Sequence, residues 1–448
     1  MSLPDPFLSR IKNTIPDWEK FVEVHQKPQV RVSIRENPTK LTNVNQGNTK
    51  IPWTAFGFFL NERPSFTLDP LLHAGTYYVQ EASSMLLEQA VRQAVDLTQP
   101  LLALDLCAAP GGKSTHLLSL LNQDSLLVSN EVIRSRASVL SENIQKWGNG
   151  NVVVTNNDPA DFQKLTGLFD LMVVDAPCSG EGLFRRDPEA MKEWSEENIE
   201  LCSQRQQRIL ADIWPALKQE GILIYSTCTY NEKENEDNLN WLNENKDVQF
   251  IRLKTDPAWG IEEVSKGKSI GYRCYPHRVN GEGFFISVVQ KKSPEQSISI
   301  RSKNSFEVAS KKIKESLHDW FQPSNHELVM LDDLIVSLPG RFVTEIDFLS
   351  RSLKTVLKGT AIATQKHDKF IPEHALAMST LLNQSNFKSI ELTLEQALSY
   401  LRKDVLLIGA GERGFALVTY KGVPLGWANL LGTRINNLYP SGWRILMR

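Results

Sequence analysis

The middle of the chain alternates between two hydrophobic rhythms. Short apolar runs occur at Leu101–Leu106, Leu126–Asn130, Val152–Asn156, Leu171–Asp175 and Gly221–Ser226. Runs of this length, apolar on both faces, suit strands of a parallel sheet covered by helices on each side. Between them lie Lys113–Leu121, Arg134–Trp147, Glu196–Leu217 and Glu234–Glu244, where apolar residues recur at helical spacing. Residues 96–292 therefore read as an α/β domain with a mostly parallel sheet. Val248–Ile251 and Gly283–Val289 add antiparallel strands at one edge.

The flanks carry other patterns. Residues 1–95 read as a helical region, with a capped helix start at Pro16-Asp17-Trp18 and one alternating strand, Arg31-Val32-Ser33-Ile34-Arg35. Two arginines on one face predict a solvated edge strand there. An aromatic strand at Tyr77-Tyr78-Val79 then runs into Ser83-Ser84 and a further helix. Residues 293–315 are Ser- and Lys-rich, as in a linker. Residues 316–375 form a small module with no recognisable pattern. In 376–448, a helix at Leu392–Leu401 precedes glycine-punctuated strands at Val405–Gly409, Gly414–Tyr420 and Val423–Leu430, as in a small β-barrel.

Composition narrows the setting. A chain of 448 residues holds two or three domains. A net charge of −2 means that any nucleic-acid surface must be local. No apolar run reaches membrane-span length, and the N-terminus lacks a secretory pattern, so a cytoplasmic protein is expected. The five cysteines are odd in number and lack zinc spacing. Free thiols and no metal are expected.

The first strand ends in Asp105 and passes through Cys107-Ala108-Ala109-Pro110-Gly111-Gly112-Lys113 into a helix. A glycine turn at the carboxyl end of a first strand is where open α/β sheets bind nucleotides. Gly112-Lys113-Ser114 imitates the end of a phosphate-binding loop, so a nucleotide hydrolase is a rival reading, but Cys107 stands where that loop needs glycine. Asp105, Glu131, Asp158 and Asp175 all fall at strand ends on one edge of the predicted sheet, as a ligand-binding rim would. Cys178 and Cys228 each follow an apolar strand in a polar turn. Neighbouring strands would bring both thiols to one crevice. A thiol beside a methyl-donor pocket suits carbon 5 of cytosine, which becomes nucleophilic once a thiolate adds to carbon 6. The residues alone leave open which cysteine attacks.

CAAPGGK (107–113), DAPCSGEG (175–182) and STCTY (226–230), in this order, resemble the Sun/nucleolar-protein family of RNA (cytosine-5) methyltransferases. The tail, with Trp427 and Tyr439-Pro440-Ser441-Gly442-Trp443, resembles the bacterial members that act on 16S ribosomal RNA. The resemblance implies a Rossmann-like class I methyltransferase domain of seven strands and a PUA-like RNA-binding domain at the C-terminus. It implies S-adenosylmethionine as cofactor. Cys107, Ala108, Ala109, Pro110, Gly111, Gly112 and Lys113 would cradle its methionine part. Glu131 would take the ribose hydroxyls, Asp158 would lie by the adenine, and Asp175 would serve the amino group and the target base. Cys228 would be the nucleophile and Cys178 would assist its release. The expected partner is RNA, 16S ribosomal RNA or the small subunit before transfer RNA, bound by a monomer. Expected RNA contacts are Arg31, Arg35, Lys40, the Arg185-Arg186 pair and the C-terminal module.

Overall fold

In the computed structural model, residues 3–26, 31–40, 47–300, 305–322, 325–406, 413–432 and 434–447 are described. Five parallel strands form the centre, in the order Leu217–Thr227, Phe169–Asp175, Leu102–Asp105, Leu126–Asn130 and Val152–Thr155. Their side chains alternate between two apolar layers. Ala103, Leu127, Val154, Leu171, Val173 and Ile224 face one layer. Leu104, Val128, Val153, Met172, Val174 and Leu223 face the other. Burial on both faces explains why these strands lack polar alternation.

The sheet extends beyond the seven strands implied by the resemblance, to ten. Phe284–Lys291 pairs antiparallel with Leu217–Thr227, and Ser269–Cys274 follows it. Glu262–Lys266 and Val248–Phe250 add outer strands. At the opposite edge Thr355–Lys358, from the module without a pattern, pairs with Val152–Thr155. Three of the five residues of Glu262–Lys266 are charged and its side chains are largely exposed, so it carries no apolar signal.

The N-terminal region departs from expectation. Two helices, Asp5–Thr14 and Trp18–Gln26, are present, but so is a four-stranded antiparallel sheet. Ser33–Glu36 is a buried inner strand of that sheet, not a solvated edge. Phe7 and Phe21 of the helices pack with Phe184, Trp194, Tyr230 and Tyr275. The helices thus brace the segments that follow both cysteine turns. Tyr77–Val79 forms the other edge of the small sheet and lies against the glycine turn.

The C-terminal third holds a five-stranded sheet and then a four-stranded one. The second consists of Lys388–Glu391, Gly414–Tyr420, Val423–Leu430 and Ile435–Asn437, with the helix Leu394–Arg402 beside it. The expected strand Val405–Gly409 runs into 407–412, outside the described residues. Among the described residues no helix is long and apolar enough to cross a membrane.

Candidate active site

The parallel sheet sets the geometry. Phe169–Asp175 and Leu217–Thr227 are neighbours, with Asp175 opposite Ser226, so their carboxyl ends open side by side. The backbone N–H of Ala176 donates to the Ser226 carbonyl at 2.9 Å and continues the pairing into the loops. Gly182 then closes the two loops: its N–H donates to the Cys228 carbonyl at 2.8 Å. A Cβ at Gly182 would lie 2.5 Å from the Gly283 carbonyl oxygen and 2.8 Å from that of Cys228. Only glycine fits this approach. The result brings Cys178 Sγ within 3.2 Å of Cys228 Sγ.

The two thiols differ. Cys228 lines a cavity of about 340 Å³, together with Cys107–Pro110, Gly112, Lys113 and Asp175. Cys178 does not line it. Its contact with Cys228, and then burial, push the Cys178 thiol well above its ordinary range. Lys113 Nζ reaches Asp175 Oδ2 at 2.7 Å and Ser226 Oγ donates to Asp175 Oδ1 at 2.8 Å. Both fix the carboxylate at the cavity wall.

The rest of the expected rim is spread along the same sheet edge. Asp105 is fully buried; Ser114 Oγ donates to its Oδ2 at 2.6 Å, while Oδ1 has no hydrogen-bond partner among the described residues. Burial raises its carboxyl to about 7. Glu131 Oε1 accepts from the Ile133 N–H at 2.9 Å, and Arg136 stands 3.5 Å from Oε2. Asp158 caps Pro159–Phe162 and pairs with Arg208 at 3.2 Å. Neither Glu131 nor Asp158 lines the cavity that holds Cys228. Gly111 turns the chain with φ at +118°.

Three family models match in chain order. The N-terminal domain of 16S rRNA methyltransferase RsmF matches 3–82, 16S rRNA methyltransferase RsmB/F matches 93–290, and the methyltransferase RsmF PUA domain matches 387–445. The ribosomal RNA small subunit methyltransferase F of Shewanella loihica is 32% identical, over 98% of this chain and 95% of that one. The chain belongs to the ribosomal RNA small subunit methyltransferase F family. The protein of the same name from Aliivibrio salmonicida is 31% identical over 98% of this chain and 97% of its own. Among solved structures, a methyltransferase homologue from Pyrococcus horikoshii shares 28% identity with a TM-score of 0.51, covering 61% of this chain and 90% of that one.

In this family member, two expected RNA contacts are internal struts. Arg35 is fully buried and donates to Gln80 Oε1, Thr115 Oγ1, Ser119 Oγ and the Gly112 carbonyl, 4.5 Å from the Trp147 ring. Burial lowers its guanidinium to about 9. Lys40 Nζ donates to the carbonyls of Ala74 at 2.7 Å and Lys146 at 2.6 Å. Burial lowers this ammonium to about 7. Both side chains tie the N-terminal sheet to the methyltransferase core and are unavailable to RNA.

The sequence reading missed Glu234. Its carboxyl accepts from the Ser179 N–H, the Ser179 hydroxyl and Gln206 Nε2, directly behind the Cys178 turn. Burial raises it to about 7. It lies in Asn231–Asn238, a polar run that reads as a solvated helix start, and nothing in that run marks one carboxyl as internal. Among the described residues no group of three or more His, Cys, Asp or Glu side chains could hold a metal ion.

Proposed function

We propose that this protein forms 5-methylcytosine in 16S ribosomal RNA, using S-adenosylmethionine and a covalent bond from Cys228 to cytosine carbon 6. The observation that carries this is the thiol pair: two sulfurs 3.2 Å apart, of which Cys228 alone faces the cavity.

The residues present suit the cofactor. The buried, unpartnered Asp105 Oδ1 and the tight Gly111-Gly112 turn make a polar cradle at the first strand end. Cys107–Lys113 would hold the methionine part, Glu131 the ribose and Asp158 the adenine side. When bound, S-adenosylmethionine supplies an electrophilic methyl group on sulfonium.

The chain's own groups do the rest. The Cys178 S–H is placed to donate to the Cys228 sulfur. Cys228 bonds to carbon 6, and its proton ends on ring nitrogen 3. Asp175, pinned by Lys113 and Ser226, accepts from that N–H and from the exocyclic amine. Carbon 5, made nucleophilic by that addition, would take the methyl group as the methyl–sulfonium bond breaks and the demethylated cofactor leaves as a neutral thioether. Cys178 gives its proton to the departing Cys228 sulfur and recovers one from carbon 5. The ring proton returns to solvent, and the C6–S bond is broken.

The PUA domain match and the names of the relatives support ribosomal RNA and a cytoplasmic setting. The test is nucleoside mass spectrometry after incubation with S-adenosylmethionine and unmodified 16S RNA, with unmodified transfer RNA in parallel. Methylated cytidine in 16S RNA alone is expected. Any other methylated nucleoside overturns the proposal.

A further inference from the structure

A second cavity, of about 480 Å³, opens beside the one that holds Cys228. Val79, Gln80, Glu81 and Arg186 line both, so the two are continuous. The second is built from arginines: Arg31 and Arg63 from the N-terminal region, Arg185 and Arg186 from the segment after the Cys178 turn. Sequence separation hid this convergence, and Arg63 carried no signal.

The groove keeps its positive charge. Among the described residues Glu81 is the one acid lining it, and its carboxylate accepts from the backbone N–H groups of Ser84 and Glu282. Burial raises the pKa of that carboxyl. Arg185 is held in place by the Gly281 carbonyl at 3.4 Å and by Glu282 at 3.5 Å. Arg31 lies 5.7 Å from the Phe59 ring and Arg63 lies 5.8 Å from the Phe66 ring. Among the described residues no salt bridge takes up Arg31, Arg63 or Arg186. Among the described residues no aromatic ring lines the groove, which there offers no platform for stacking a base.

We propose that this groove is a subsite for the backbone phosphates of unpaired nucleotides next to the target base, reading charge and not sequence. The inference rests on the RNA methyltransferase reading above. A base that enters the Cys228 cavity must leave its stack, so its neighbours are single-stranded there. Their phosphates then lie within reach of the adjoining arginines.

The probe is a short single-stranded oligouridine, which has the phosphates but no target base. Its affinity is measured by fluorescence anisotropy across a salt series for the parent protein and for Arg31→Ala/Arg63→Ala. Each exposed contact to a phosphate is comparable to a surface ion pair, so the double variant should bind about tenfold more weakly. The slope of log affinity against log salt should fall by about 1.4, at ~0.7 per phosphate neutralised on a single strand. The KM for 16S RNA should rise by a similar factor while kcat stays within about twofold. S-adenosylmethionine affinity should hold, which shows that the variant is folded. Arg31→Lys/Arg63→Lys should recover most of the slope, because a phosphate accepts a point charge. Parental affinity and salt slope in the alanine variant overturn the subsite. If the parent makes no 5-methylcytidine but the variant still loses oligouridine affinity and slope, the activity reading fails and the groove stands.

Discussion

Replacing Gly111 with alanine tests the glycine turn at its most constrained point. Gly111 holds φ at +118°, a region that L-residues rarely adopt. Holding a side-chain-bearing residue there costs ~1–3 kcal/mol. The added Cβ would meet Leu140 Cδ1 at 3.3 Å, the end of a side chain that can give by a few tenths of an ångström. The backbone cost therefore dominates, at ~2 kcal/mol. The turn can respond in two ways. If it keeps its shape, the cost appears as lost stability, and ~2 kcal/mol lowers Tm by about 4–8 °C for a domain of this size. If it relaxes, Tm is retained but the Cys107–Lys113 backbone moves, and the same ~2 kcal/mol appears as about thirtyfold weaker S-adenosylmethionine binding. Thermal melting and titration calorimetry on one preparation give both losses, and their sum should be ~2 kcal/mol. Gly112→Ala is the comparison: its Cβ would touch Tyr78 Cε1 at 3.4 Å, ordinary contact, so it should melt no lower than the parent. Parental Tm together with parental affinity in Gly111→Ala would refute the claim that the turn needs glycine.

Two further substitutions probe the wall around the thiols. Burial raises Glu234 from 4.5 to about 7, so the folded chain keeps a proton that the unfolded chain releases. That contribution is full below pH 4.5 and is lost as pH rises to about 7. Glu234→Gln should flatten the fall in urea midpoint across this window, leaving the share due to other buried carboxyls; an unaltered slope contradicts the assignment. Lys113→Met removes the 2.7 Å ion pair to Asp175. A charge-assisted bond of ~1.5–3 kcal/mol predicts about 10–100-fold slower single-turnover methylation, partly restored by Lys113→Arg. A rate within twofold of the parent would show that Asp175 is held by other means.

The parallel core was legible because Leu102–Asp105, Leu126–Asn130 and Val152–Thr155 are buried on both faces and therefore mostly apolar. The loops holding Cys178 and Cys228 were legible for a related reason: each follows such a strand, and adjacent parallel strands must end side by side. The charged residues of the N-terminal region were not legible. Arg35 alternates with apolar neighbours as an exposed residue would, yet its hydrogen-bond partners lie 45 to 84 positions further along the chain. The half-buried Lys40 is tied down by carbonyls of Ala74 and Lys146, which no local pattern announces. Glu234 sits among polar residues and owes its burial to the helix Glu196–Ile213 packed over it, through Gln206. The strand Thr355–Lys358 is half-exposed and short, and only its pairing with Val152–Thr155 reveals it as part of the sheet. Periodicity reports which face of an element is apolar. It does not report which distant polar atoms will satisfy a buried charge.

The most direct test of the thiol assignment is covalent capture. Cys178→Ala and Cys228→Ala are each incubated with S-adenosylmethionine and unmodified 16S RNA, then run under denaturing conditions, and any attached RNA is sequenced. Cys178→Ala can form the bond to carbon 6 but lacks the proton donor for release, so a denaturant-resistant protein–RNA band is expected. Cys228→Ala should give none. A band in Cys228→Ala but not in Cys178→Ala, or no band in either while the cofactor still binds, would contradict Cys228 as the nucleophile.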